Sequence, residues 1–151
     1  PYSINAIKIG QYKDSNSNIH EILVTAGDNG EIHIWNTQHL ELTPYHFSNE
    51  QSSTWGVCIH QSGLLAISSN NNKIKIYNIL KLLDSYQQQT INNKKQQHNN
   101  NKKEPLTNIL KDQHVITLMG HLHNIPSVDI DSSGKYLASC SIDQTCRLWD
   151  L

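Results

Sequence analysis

Cysteine, methionine, phenylalanine and proline are all scarce in this chain: three, one, one and four in 151 residues, with a formal net charge of only −1. Each scarcity excludes something. Cys58, Cys140 and Cys146 contain no CxxC pair, and so sparse and odd a set argues against a disulfide framework and for a reducing compartment. All three are expected as small core fillers, Cys140 and Cys146 packed against neighbouring strands. Near-zero charge attracts neither a nucleic-acid backbone nor an anionic membrane, so no direct nucleic-acid binding and no membrane partner is expected. No run approaches the roughly 18 apolar residues of a membrane span, and the start lacks a basic n-region followed by an apolar h-region. A soluble, unsecreted protein is therefore expected. None of the seventeen asparagines lies in N-x-S/T, which agrees with an intracellular setting. Residue 1 is proline and hydrophobic alternation begins by Ile4, so the sequence reads as a piece of a longer chain with flanking sequence on both sides.

What is present is strand after strand. "INAIKI" at 4 to 9, "EILVTA" at 21 to 26, "EIHIWN" at 31 to 36, "WGVCIH" at 55 to 60, "LLAIS" at 64 to 68 and "KIKIYNI" at 73 to 79 are short and rich in Ile, Val, Tyr and Trp. Turn residues divide them, the pattern of antiparallel β-structure. Asn29-Gly30 between two strands suggests a type I′ hairpin turn, since both residues tolerate positive φ.

The chain also repeats itself. "LVTAGDNGEIHIWN" at 23 to 36 lies over "LASCSIDQTCRLWD" at 137 to 150 without a gap, and "LAISSNNNKIKIYN" at 65 to 78 lies between them. The aromatic positions Trp35, Tyr77 and Trp149 are 42 and then 72 residues apart, and the excess of 30 is the Gln/Asn/Lys-rich stretch at 84 to 113. Without that stretch the period is restored. Five lysines against three carboxylates leave it weakly basic and poor in aromatics, so solvated disorder is the default and specific nucleic-acid binding is not expected. A short linear motif in "EPLTNIL" at 104 to 110 is the alternative.

A period near 42 residues, with Gly120-His121 ahead, Asp143 before a strand and "RLWD" at the end, resembles the WD repeat. The first two units are degenerate, with Asn29 at the aspartate position of the first and Tyr77 for Trp in the second. The resemblance covers about 120 of the 151 residues, everything but the insert. It implies an all-β fold, a partial β-propeller arc of about three WD-type blades built from antiparallel four-stranded sheets. The expected organisation is two degenerate units at 1–83, the insert at 84–113 and a well-matched unit at 114–151, all one segment of a larger propeller. The insert then joins the third strand of one blade to its fourth, and "GQYKDSNSNIH" at 10 to 20 joins a first strand to a second. Both connections are expected on the face opposite His121 and Asp143.

The resemblance further implies that His121, Ser139, Asp143 and Trp149 form a buried hydrogen-bond chain bracing one blade. A buried indole N–H, hydroxyl and imidazole each need a partner, and a carboxylate at the end fixes the imidazole tautomer. A Ser-His-Asp hydrolase is the sharp alternative, but it needs an exposed nucleophile on a strained turn, and Ser139 stands mid-strand in "YLASCS". Zinc on His121, His123, Cys140 and Cys146 lacks the usual paired knuckles. "AGDNGE" at 26 to 31 lacks the Lys-Ser/Thr of a phosphate loop. No catalytic residue, metal or cofactor is therefore assigned.

Function is expected at surfaces, in loops held by a rigid scaffold. The candidate contact residues are Leu122, His123 and Asn124 with Asn70, Asn71 and Asn72. The expected partners are other proteins and the remaining blades of the parent chain. A narrower resemblance rests on "STWGVCIHQSGLLAISSNNNKIKIYNI" at 53 to 79 and "GHLHNIPSVDIDSSGKYLAS" at 120 to 139. These are similar to a fungal family of WD-repeat proteins connected with transcriptional control of ribonucleotide reductase genes and with a cullin-type ubiquitin ligase. That likeness implies a non-enzymatic adaptor of the nucleus or cytoplasm. The alternative is the non-catalytic part of an enzyme whose active site lies elsewhere in the parent.

Overall fold

The computed structural model describes residues 2–83 and 115–151, and the insert at 84–113 lies outside the described residues. Among the described residues, eleven strands form three antiparallel sheets. The first contains β1 (Ile4–Lys13), β2 (Ile19–Gly27), β3 (Glu31–Asn36) and β4 (Tyr45–Ser48), paired in sequence order. The second contains β5 (Thr54–Ile59), β6 (Leu64–Ser69), β7 (Lys73–Asn78) and, from beyond the insert, β8 (Ile116–Met119). The third contains β9 (Ser127–Ile130), β10 (Tyr136–Cys140) and β11 (Cys146–Asp150), three strands among the described residues.

Two apolar clusters hold the sheets face to face. Ile22, Val24, Ile32 and Ile34 of the first sheet meet Leu65, Ile67 and Tyr77 of the second. On the reverse side of the second sheet, Cys58, Ala66, Ile74 and Ile76 meet Val128, Ile130 and Leu137 of the third. The side-chain alternation of a strand sends Leu65 and Ile67 one way and Ala66 the other, and both directions are buried, which is why β6 reads as a continuous apolar run. Fully burying one such Leu or Ile contributes about 1.5–3 kcal/mol. Gly56 admits the third sheet: a side chain there would collide with Ser68 Oγ, fixed by its 2.6 Å bond to Ile125 O, and would press on Val128 N at 3.2 Å.

The connections sort onto two sides. On one, Lys13 N donates to Gln61 O (2.9 Å), Ile79 N to Gly63 O (2.7 Å), and His60 Nε2 lies 3.2 Å from Ser132 O. The turn at 14–18 and the end of β7, from which the chain enters the insert, are here. On the other, Asn49 N donates to Gly30 O (2.7 Å), Asn70 N to Ser53 O (2.9 Å) and Ile142 N to Asn124 O (2.9 Å). His121 and Asp143 belong to this second side.

One expectation is corrected. The Asn29-Gly30 turn is not type I′: Gly30 N closes on Gly27 O at 3.1 Å, and of the pair only Gly30 has positive φ, +81°. Asn29 keeps ordinary backbone geometry because its side chain is already engaged, Oδ1 accepting the Glu31 N–H at 3.1 Å. Cys140 and Cys146 lie on the face of the third sheet that looks away from the second, at the positions that Ala26 and Ile32 hold in the first sheet and Ser68 and Ile74 hold in the second, all four buried against the sheet that follows. Cys58 is buried between the second and third sheets. The pattern "YLASCS" alternates, and Leu137 and Ser139 point toward the second sheet.

Candidate protein-interaction site

The same turn recurs in all three sheets. Gly30, Asn72 and Gln144 have φ of +81°, +63° and +69°, at spacings of 42 and 72 residues. One position earlier, Asn29, Asn71 and Asp143 each accept a backbone N–H two residues on, from Glu31 (3.1 Å), Lys73 (3.2 Å) and Thr145 (2.9 Å). A short side chain that accepts a local N–H stabilises such a turn without help from the core.

In the third sheet this turn supports a buried polar chain. Trp149 Nε1 donates to Ser139 Oγ at 2.8 Å; the same hydroxyl lies 2.8 Å from His121 Nε2, and His121 Nδ1 lies 2.9 Å from Asp143 Oδ2. The indole donates only, so the serine proton goes to Nε2 and the histidine proton to the carboxylate, which assigns the Nδ1–H tautomer. Leu122 N also donates to Asp143 Oδ2 (2.8 Å), and Thr145 Oγ1 donates to Oδ1 (2.6 Å). Burial pushes the Asp143 carboxyl up. The hydrogen bonds from the Thr145 hydroxyl, Leu122 N–H, His121 and Thr145 N–H outweigh it and hold the group well below its ordinary value of 3.8.

The order Ser-His-Asp is that of a hydrolytic triad, but access is not. Ser139 is 2% exposed, its oxygen is occupied by the Trp149 indole, and it lies mid-strand beneath the sheet face. Among the described residues no group of three or more His, Cys, Asp or Glu side chains gathers as a metal site, and His123 and the two exposed cysteines do not converge.

Sequence reasoning missed Thr145, which stands two residues after Asp143, and Asn49, which stands 72 residues before His121. Asn49 is buried like His121 and donates to Thr54 Oγ1 at 3.1 Å. The second unit has Ile67 and Tyr77 where the third has Ser139 and Trp149, and apolar packing stands in for the polar chain: the Tyr77 and Phe47 rings lie 5.0 Å apart.

The six candidate contact residues form two adjoining loops. Leu122 projects its side chain at 81% exposure from a backbone tied to Asp143, and His123 is exposed beside it. His123 O accepts Ser141 Oγ at 3.0 Å. Asn72, with its amide nitrogen turned inward, donates to His123 O and to Asn70 O, both at 3.2 Å. Asn71 is committed to its own turn, accepting Ser69 Oγ (2.6 Å) and donating to Glu50 Oε2 (3.2 Å). Glu50 is held in turn by Lys75, 2.6 Å away, whose ammonium keeps the carboxyl below its usual range.

Residues 112–150 match the sequence family described as "WD domain, G-beta repeat". This stretch is a WD40 repeat. Its hydrogen-bonded His121, Ser139, Asp143 and Trp149 all lie within the match. The chain is 32% identical over 150 residues to a WD40 repeat-containing protein of Dictyostelium discoideum, covering 99% of this chain and 18% of that protein. It is 29% identical over 131 residues to an uncharacterized WD repeat-containing protein of Schizosaccharomyces pombe, covering 87% and 24%. It is 25% identical over 129 residues to Protein ROOT INITIATION DEFECTIVE 3 of Arabidopsis thaliana, covering 85% and 26%. The chain thus spans between 18% and 26% of the length of these relatives. A chain in the crystal structure of a mitotic checkpoint complex superposes on 99% of this one with a TM-score of 0.64 and 16% identity, using 34% of its own length. That likeness is one of fold. The three sheets are an arc of a WD40 β-propeller, the all-β antiparallel architecture that the repeat implies.

Proposed function

We propose that this arc is a non-enzymatic adaptor that binds other proteins through the loops on its His121 side. WD40 repeat proteins generally act as protein-interaction scaffolds, and their propellers are typically non-catalytic. The observation that carries the reading is the setting of Leu122: an apolar side chain 81% exposed, on a backbone whose N–H is fixed to Asp143 Oδ2 at 2.8 Å. A rigidly presented apolar group loses little entropy when a partner covers it, which favours binding. His123, Asn124 and Asn70 add polar groups at its rim.

Within this reading the narrower resemblance at 53–79 and 120–139 supports an adaptor of the nucleus or cytoplasm. Its work would be in transcriptional control or as substrate receptor of a cullin-type ubiquitin ligase. The test is affinity purification of the full-length protein with Leu122, His123 and Asn70 replaced by alanine, thermal melting being followed in parallel. A partner retained by the wild type and lost by the folded variant supports the reading. Retention of every partner refutes the surface assignment.

A further inference from the structure

The turn that follows β4 is held in a conformation its residues disfavour. Ser52 N donates to Asn49 O at 2.9 Å, and the two residues between them, Glu50 and Gln51, both have positive φ, +53° and +55°. Positive φ at both central positions is what a type I′ turn requires, and there Asn and Gly are preferred while longer side chains bring strain. Asn49 Oδ1 is also buried, and among the described residues no donor reaches it. What opposes these costs is the Glu50 carboxylate. Its Oε1 lies 2.6 Å from Lys75 Nζ, and its Oε2 lies 3.6 Å from Lys73 Nζ and accepts from Asn71 Nδ2 at 3.2 Å. The partners differ in cover, the Lys75 side chain being 12% exposed and that of Glu50 51%. A cation so covered needs an anion, whereas this anion stands open to solvent. Lys73 and Lys75 share the face of β7 from which Tyr77 packs against the first sheet. Met119, paired with Lys73 across β7 and β8, is exposed beside them. The first and second sheets each have four strands, so this seam lies between two complete neighbours.

We infer that Lys75, Lys73 and Asn71 form a carboxylate-binding site, which Glu50 fills as an internal occupant and from which an acidic segment of a protein partner displaces it. The donors fit a carboxylate: one ammonium faces one oxygen, and an ammonium and an amide N–H face the other. An Asp or Glu side chain of the partner restores the same ion pairs, so Lys75 is not left buried without a counter-charge. Glu50 regains full hydration and the turn is freed from its left-handed residues, which favours the exchange. Met119, flexible and polarizable, offers an adaptable apolar contact next to the acidic residue. One ion pair is exchanged for another and no covalent bond changes. The site goes beyond the Leu122 loops and uses none of the side chains on which that assignment is tested, Leu122, His123 and Asn70.

The test uses the full-length protein and a fluorescein-labelled octapeptide of alternating Gly and Glu, with the Gly/Gln octapeptide as its neutral counterpart, read by fluorescence anisotropy. Glu50→Gly removes the internal occupant and accepts the positive φ, so the turn is kept. A tethered competitor acts at an effective concentration on the order of millimolar, so Glu50→Gly is expected to bind the Glu peptide at least roughly tenfold more tightly than the wild type, which itself binds saturably. Adding Lys75→Met, which keeps the apolar stem, is expected to abolish the gain, and the Gln peptide is expected to show none. Glu41→Gln removes the same charge from an exposed position elsewhere and is expected to bind as the wild type does. Melting curves accompany each variant, and Glu50→Gln takes the place of Glu50→Gly, with the same ranking expected, if the glycine variant does not fold. The inference is overturned if the wild type does not bind saturably, if Glu50→Gly gains nothing, if the gain survives Lys75→Met, or if Glu41→Gln or the Gln peptide gains as much. Each of those outcomes leaves the Leu122 assignment standing, since none of them tests it.

Discussion

His121 and Trp149 meet edge to face, ring centroids 6.1 Å apart, and share one hydroxyl: Ser139 Oγ lies 2.8 Å from a nitrogen of each. A single small side chain thereby satisfies two buried aromatic polar groups.

Ser139→Ala removes that common partner and strands both nitrogens. A buried group left unpaired costs about 1–3 kcal/mol, so this substitution is expected to destabilise by more than Trp149→Phe, in which the serine keeps its bond to His121. Urea unfolding of the parent protein, wild type against the two variants, checks the ranking. Equal or reversed losses would show that the hydroxyl is not shared as described.

The repeated turn gives a pair of opposite effects. Gly30 has φ of +81°, and an added Cβ would lie 2.7 Å from Ser52 N, so Gly30→Ala should destabilise by about 1–3 kcal/mol. Gln144 occupies the equivalent left-handed position at φ +69° with a side chain, and Gln144→Gly should stabilise by about 1 kcal/mol as that strain is relieved. Melting temperatures of the two variants should move in opposite directions.

Leu65 is fully buried between the first and second sheets. Leu65→Ala is expected to cost about 2–5 kcal/mol through lost transfer energy and the cavity left behind. Denaturant titration measures it, and a loss below about 1 kcal/mol would mean that the sheets do not pack as described.

Acid should weaken the fold through its turn carboxylates. Asp131 accepts the Ser133 hydroxyl (2.6 Å) and the Tyr136 N–H (2.8 Å), and these bonds, with those from Ser133 and Lys135 N–H, lower it from 3.8 to about 2. Asp14, held by His20 and Asn18, and Asp143 are also lowered. A carboxyl depressed in the folded state stabilises fully above its unfolded value and loses that contribution as pH falls through the folded one. For Asp131 the window runs from about 3.8 down to about 2. Asp131→Asn should flatten stability against pH in that interval, measured as the urea midpoint from pH 5 to pH 2. An unchanged slope would remove Asp131 from the account.

Much of this was legible in advance because it is local. Alternation announced the strands, and the 42-residue spacing of Trp35 and Tyr77 placed equivalent turns at Gly30 and Asn72. Thr145 and Asn49 were missed because a threonine in a turn and an asparagine in a loop carry no periodic signal. Their roles appear only when Asp143 and Thr54 stand beside them.

The sequence by itself determined the repeat and the antiparallel strands, since both follow from side-chain alternation and turn residues, while the polar quartet was implied by the resemblance to the WD repeat. The tertiary structure decided the rest. It set which face of each strand is covered, that Ser139 is sealed from solvent although it stands in triad order, that Leu122 is presented outward, and that two cysteines six residues apart bring their sulfurs to 2.8 Å. Those are relations between residues on different strands and sheets, and they exist only once the packing of one sheet on the next has fixed register and distance.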